Sequence, residues 1–92
     1  MVMKKKVGRV TFEERTEIMT LFERRNGLAE LSKVLTSENA DLYEKVIKDM
    51  GETTMKSQMW WNNMEKKYQW EASDNGYWEI NFETCDIYLV TD

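Results

Sequence analysis

The chain has 92 residues, a formal net charge of −4, one Cys and no His. That length supports one domain with a modest core, and a lone Cys excludes an internal disulfide. The missing His removes the commonest general base and, with a single Cys, ordinary zinc sites. Four scattered Gly exclude a phosphate-cradling loop, and the acidic balance argues against nucleic acid as a partner.

Lys4 to Val10 reads as a short extended lead-in, with Val7 and Val10 as its apolar points. Thr11-Phe12-Glu13-Glu14 fits a capping box, in which the Thr hydroxyl accepts the Glu14 amide and the Glu14 carboxylate reaches back to the Thr11 amide. Ile18, Leu21, Phe22, Leu28, Leu31 and Leu35 then recur at helical spacing, so a first helix is expected over residues 12–35. Asn26-Gly27 lies inside it, and the stripe keeps its phase across the pair.

Residues 36–41 are polar and are expected to turn the chain. A second helix follows over residues 38–67, with Tyr43, Ile47, Met50, Thr54, Ser57, Trp61, Met64 and Tyr68 on one stripe. The short connection implies an antiparallel hairpin. Counting outward from the turn puts Gly27 level with Gly51, which suggests a close approach of the two axes.

Alternating residues close the chain. A three-residue loop Asp74-Asn75-Gly76, with Gly76 left-handed, pairs Trp70 with Ile80 and Ala72 with Trp78. A second loop, residues 83–86, pairs Phe82 with Ile87 and Ile80 with Leu89. Trp70, Ala72, Trp78, Ile80, Phe82, Ile87 and Leu89 then share one face of a three-stranded meander. Tyr77, Glu79 and Tyr88 lie on the other. The expected fold is α+β: an antiparallel two-helix hairpin packed on a C-terminal three-stranded antiparallel β-meander. It is a single domain over 1–92, with a lead-in (1–10), a helical hairpin (12–67) and a meander (68–91).

Charge is uneven. Residues 1–70 carry a net +2, and residues 71–92 carry six acids and no base. The basic run Lys4, Lys5, Lys6 and Arg9 could meet an acidic partner or pair with that acidic sheet. Cys85 has acidic neighbours and no base to lower its pKa, so it reads as structural. The acids Glu13, Glu14, Glu17, Glu79, Glu83 and Asp86 read as solvated faces rather than a catalytic or metal cluster. Trp61 belongs to the core stripe. Trp60, beside Met64 on a Met-rich helix, divides between core rim and a partner or dimer contact.

The segments EERTEIMTLFERRNGLAEL, LYEKVIKDMGETTMKSQMWWNNMEKKYQW and WEINFETCDIYL resemble the small bacterial "CXXX repeat peptide modification system" proteins. The WW pair, KYQW and WEINFETC are the most distinctive parts, and the likeness covers about residues 4–90. The resemblance implies an accessory role beside radical S-adenosylmethionine enzymes that modify a ribosomally made Cys-repeat peptide. It carries over no catalytic residue.

The expected function is therefore non-enzymatic: an adaptor that binds the peptide or the modifying enzyme, with no cofactor and no metal. The expected contact residues are Trp60, Met64, Tyr77, Glu79 and Tyr88. A sheet edge, either the last strand or the strand near Trp70, would receive an extended peptide, unless Val7 to Val10 already covers it. No apolar run follows the basic start and no window reaches a membrane span, so a cytoplasmic protein without membrane or nucleic-acid contact is expected. A homodimer is left open. The competing class is a small phage-type inhibitor whose acidic face mimics nucleic acid. A small enzyme is disfavoured by the missing nucleophile–base pair.

Overall fold

The structure, a computed structural model, describes residues 2–35 and 37–92, and for Ser37 the backbone alone. In chain order it contains β1 (Met3–Arg9), α1 (Phe12–Val34), a 3-10 turn (Ser37–Asn39), α2 (Ala40–Tyr68), β2 (Gly76–Ile80) and β3 (Asp86–Thr91). The α+β class holds. The expected turn begins at Thr36, which lies outside the described residues, and the chain is already helical from Ser37. Among the described residues, no helix is long and apolar enough to cross a membrane.

The chain divides into two compact units: Met1–Glu17 with Asn63–Asp92, and Ile18–Asn62. The first holds the sheet, the start of α1 and the end of α2. Its sheet is antiparallel in the order β1-β3-β2. The third strand is therefore the basic lead-in and not the stretch around Trp70, which corrects the expected meander. The reason lies at the end of α2. Gln69 takes a left-handed φ of 52°, and its amide donates to the Glu65 carbonyl at 2.8 Å. That bond caps the helix and turns the chain, and residues 69–73 pair with no strand.

β2 and β3 form the expected hairpin in a register shifted by two residues. Ile80 lies opposite Ile87 and Trp78 opposite Leu89. An even shift keeps side chains on their face, so Trp78, Ile80, Ile87 and Leu89 share a face as expected, while Trp70, Ala72 and Phe82 lie outside the strands. The shift arises in the loop. The Asn81 amide donates to Asp86 O (2.9 Å) and the Cys85 amide to Asn81 O (2.8 Å). The Asn81 side-chain oxygen accepts the amides of Glu83 (2.9 Å) and Thr84 (3.3 Å). Asn81 thus organises a turn that consumes Phe82. Cys85 leaves it with a φ of 66°, half-buried and unbridged.

Gly76 does not adopt a positive φ, which removes the left-handed loop expected there. It opens β2, and its amide closes a turn onto Ser73 O at 3.1 Å. Gly is needed for proximity: a Cβ would stand 2.8 Å from the Val90 carbonyl.

β1 carries one extra residue. Lys6 lies opposite Tyr88 but Gly8 opposite Ile87, which leaves Val7 as a bulge. The core of this unit gathers Val10, Met64, Trp70, Ile87, Leu89 and Val90, with Ile87 fully buried.

The second unit is the body of the helical hairpin. The capping box that opens α1, within the first unit, is present as expected: the Thr11 amide donates to Glu14 Oε1 (2.9 Å) and the Glu14 amide to Thr11 Oγ1 (3.1 Å). Arg24 and Asp49 bridge the two helices at 3.7 Å, as an antiparallel pair requires. Ile18, Val46, Thr53 and Trp60 are buried. On α2 the buried line is Val46, Thr53, Trp60 and Met64, with Met50 and Ser57 half-buried between them. Tyr43 and Ile47 stay exposed.

The expected close approach at the mid-helix glycines is absent. A Cβ added to Gly27 or Gly51 meets nothing within 4 Å, and both are exposed. Gly27→Ala is therefore expected to stabilise the chain by about 0.5–1 kcal/mol through helix propensity alone. Urea unfolding checks it, and a loss of stability would mean that Gly27 has a neighbour after all.

Candidate functional site

Strand alternation divides the sheet chemically. Directly opposed residues share a face. One face carries Lys5, Leu89 and Trp78, then Gly8, Ile87 and Ile80. The other carries Lys4, Val90 and Tyr77, then Lys6, Tyr88 and Glu79, then Arg9 with Asp86.

The first face is sealed by an aromatic strap. Trp70, 8% exposed, lies against Gly8, where an added Cβ would come within 2.5 Å of its Nε1. Tyr68 stacks on Trp70 at 5.4 Å with the planes 5° apart, and Trp78 meets it edge-on at 5.6 Å. The Trp78 indole N–H donates to Glu71 O at 2.9 Å. The strap's polar root is Glu14. Its carboxylate takes Lys67 Nζ at 2.7 Å and the Tyr68 hydroxyl. Burial works to raise the Glu14 pKa, but the hydrogen bonds from Lys67, the Thr11 backbone and Tyr68 outweigh it and lower it to about 2. The same carboxylate raises the pKa of the Tyr68 hydroxyl and of Lys67. This assembly is structural. Its one signal in the sequence was Gly8, since a glycine inside a strand marks a close backbone approach.

The second face is the candidate binding surface. Lys4 pairs with Glu79 at 3.2 Å, and Lys6 and Arg9 with Asp86 at 3.2 and 3.5 Å. On the strap side Lys5 pairs with Glu71 at 2.9 Å. The basic lead-in therefore pairs with three acids of the acidic stretch, Glu71, Glu79 and Asp86. The exposed pairs at Glu71 and Glu79 contribute little stability and Asp86 is itself buried, but together the pairs leave no bare acidic face at these three residues. The Asp86 carboxyl is held below its ordinary pKa by the Thr84 side chain, against burial, with Lys6 and Arg9 adding to it. An open cleft is lined by Lys4, Glu79, Ile80, Asn81 and Tyr88.

The five residues expected to meet a partner separate. Tyr77 is 64% exposed, and Glu79 faces Tyr88 across the hairpin, both half-buried. These three share the ion-paired face. Trp60 and Met64 are 5% and 8% exposed. They are core residues and offer no anchor on this surface, because α2 turns Val46, Thr53 and Trp60 inward rather than Tyr43, Thr54 and Trp61.

The expected edge also changes. β3 is the central strand, paired on both sides, so it cannot receive a further strand. The free edges belong to β1 and β2. β1 is guarded by Lys4, Lys5, Lys6 and the bulge at Val7, devices that discourage strand addition. β2 has no Lys, Arg or Pro along its five residues. Among the described residues no group of three or more His, Cys, Asp or Glu could hold a metal ion. No protein-family model matches the chain, and no curated protein or solved structure does either.

Proposed function

We propose that the protein is a cytoplasmic, non-enzymatic adaptor in the maturation of a ribosomally made Cys-repeat peptide. It acts by adding an extended segment of that peptide, or of its radical S-adenosylmethionine enzyme, to the outer edge of β2. The observation that carries this reading is the contrast between the two edges: β1 is lysine-guarded, and β2 is open beside the exposed ring of Tyr77. Backbone hydrogen bonds along β2 would supply affinity, and Tyr77 with the Glu79–Tyr88 row would select side chains. The resemblance of the chain to the peptide-modification accessory proteins supports the choice of partner.

The test is a binding titration with a synthetic Cys-repeat peptide and, separately, with the modifying enzyme. Tyr77→Ala should weaken one of them by more than about 1 kcal/mol, roughly fivefold, as aromatic anchors do. Cys85→Ser should bind as the parent does. Unchanged affinity of the Tyr77 variant for both would overturn the edge, and activity lost with Cys85→Ser in a folded chain would favour thiol chemistry instead.

A further inference from the structure

We infer that the open face of α2 in the hairpin is a dimer interface, taken by the same face of a second copy running antiparallel. This inference is independent of the sheet edge.

Two neighbouring apolar lines run along α2. The inner one, Val46, Met50, Thr53, Ser57 and Trp60, is buried or half-buried. The second, Tyr43, Ile47, Met50, Thr54, Ser57 and Trp61, repeats with the same spacing of four and three. Its outer members are open: Tyr43 and Ile47 are each 44% exposed, Thr54 is exposed and Trp61 half-buried. A stripe this wide suits a helix with two helical neighbours, as in a four-helix bundle, and not one in a lone hairpin.

The second line is self-complementary about residue 52. Antiparallel pairing of two copies sets Tyr43 against Trp61 of the second copy, Ile47 against Ser57, and Met50 against Thr54. In the two inner rows a long side chain meets a short one, which lets the faces interlock. A two-fold axis makes every such contact occur twice.

Gly51 lies beside that axis. Within the chain it has no close neighbour, and a mid-helix glycine costs about 1 kcal/mol relative to Ala. A second helix crossing at residue 52 gives it a role, since on the flank of the line the missing side chain leaves room beside that helix. The outer flank of the line carries Glu44, Gly51, Gln58 and Asn62. In the antiparallel arrangement Glu44 falls beside Gln58 and Asn62 of the second copy, so no like charges meet. A specific interface should clear about 1,000 Å² in total, or about 500 Å² per copy, which is what the contact over residues 43–61 has to bury.

Sedimentation equilibrium of the full chain, up to about 100 μM, tests this. The parent should be a dimer. Tyr43→Glu with Ile47→Glu should weaken association at least tenfold while keeping the helical circular-dichroism signal, because both sites are exposed in the single chain. Should that variant lose its fold, Gly51→Cys in a Cys85→Ser chain gives a second reading: it should cross-link to a disulfide dimer on mild oxidation, and Glu44→Cys in the same background much less. A monomeric parent would overturn the inference and leave the face to a different protein. A dimer that survives the double Glu variant, or Gly51→Cys that cross-links no better than Glu44→Cys, would overturn it as well.

Discussion

Gly8→Ala is expected to destabilise the protein by about 1–3 kcal/mol, although it adds a single methyl group. The new Cβ would stand 2.5 and 2.6 Å from Nε1 and Cδ1 of Trp70. The indole has no room to yield, because Tyr68 stacks on it and Trp78 abuts it. Trp70→Ala should itself cost about 3–5 kcal/mol, as buried aromatic truncations do. The informative experiment is the cycle. In a Trp70→Ala background the Gly8→Ala step should become nearly neutral, since the clashing partner is gone, so urea unfolding should report strong coupling between the two sites. A full penalty for Gly8→Ala without the indole would place its cause in the β1 backbone instead of the strap.

The second large effect is acid sensitivity centred on Glu14. Its pKa in the folded chain is about 2, against an ordinary value of 4.5. A carboxyl with a depressed folded pKa stabilises the fold above its unfolded pKa. That stability is lost as pH falls through the window from about 4.5 to about 2. Lys67, the principal charged partner, is half exposed, so solvent screening reduces the contribution to about 1–3 kcal/mol. Glu14→Gln keeps an acceptor for the Thr11 amide but loses the charge. It should be destabilised by that amount at pH 7, and its melting temperature should fall less than the parent's between pH 4.5 and 2. Parallel curves for the two proteins would show that another acid governs the transition; Asp86, whose pKa is also lowered, would be next to examine.

What the sequence disclosed follows from how local each signal was. The capping box at Thr11 and Glu14 depends on four consecutive residues, and both of its hydrogen bonds are present. The helix limits, set by apolar spacing, fall within about two residues of those observed. The rotation of α2 was ambiguous for a geometric reason. The lines through Tyr43–Trp61 and Val46–Trp60 share Met50, Ser57 and Met64, and choosing between them requires knowing where α1 sits. That ambiguity placed Trp60 on the expected contact surface, whereas it is buried; Met64 lies on both lines and is buried with either.

The strand near Trp70 was misplaced because alternation of Trp70 and Ala72 also fits a segment laid across a sheet. Only the left-handed Gln69 and the contact with Gly8, 62 positions away along the chain, distinguish the two. Strand order depends on such non-local pairing. β1 pairs with β3 across almost the whole chain, and the charge of Lys4-Lys5-Lys6 allowed pairing with the acidic sheet without fixing which strand it meets. Of the expected contact residues, Tyr77, Glu79 and Tyr88 were recoverable because hairpin alternation is local and an even register shift preserves it. The basic run and the acidic stretch were both visible as charge, and the ion pairs between them follow from the β1–β3 pairing.

In the proposed function β2 is the working edge of this sheet. Amide hydrogen exchange, read residue by residue with and without a Cys-repeat peptide or its modifying enzyme, tests it most directly. One of these candidate partners should slow exchange at outward-facing amides of residues 76–80, leave β1 unchanged, and leave β3, already paired on both sides, little affected. Protection appearing along β1 or on the hairpin while residues 76–80 exchange as in the free protein would contradict it.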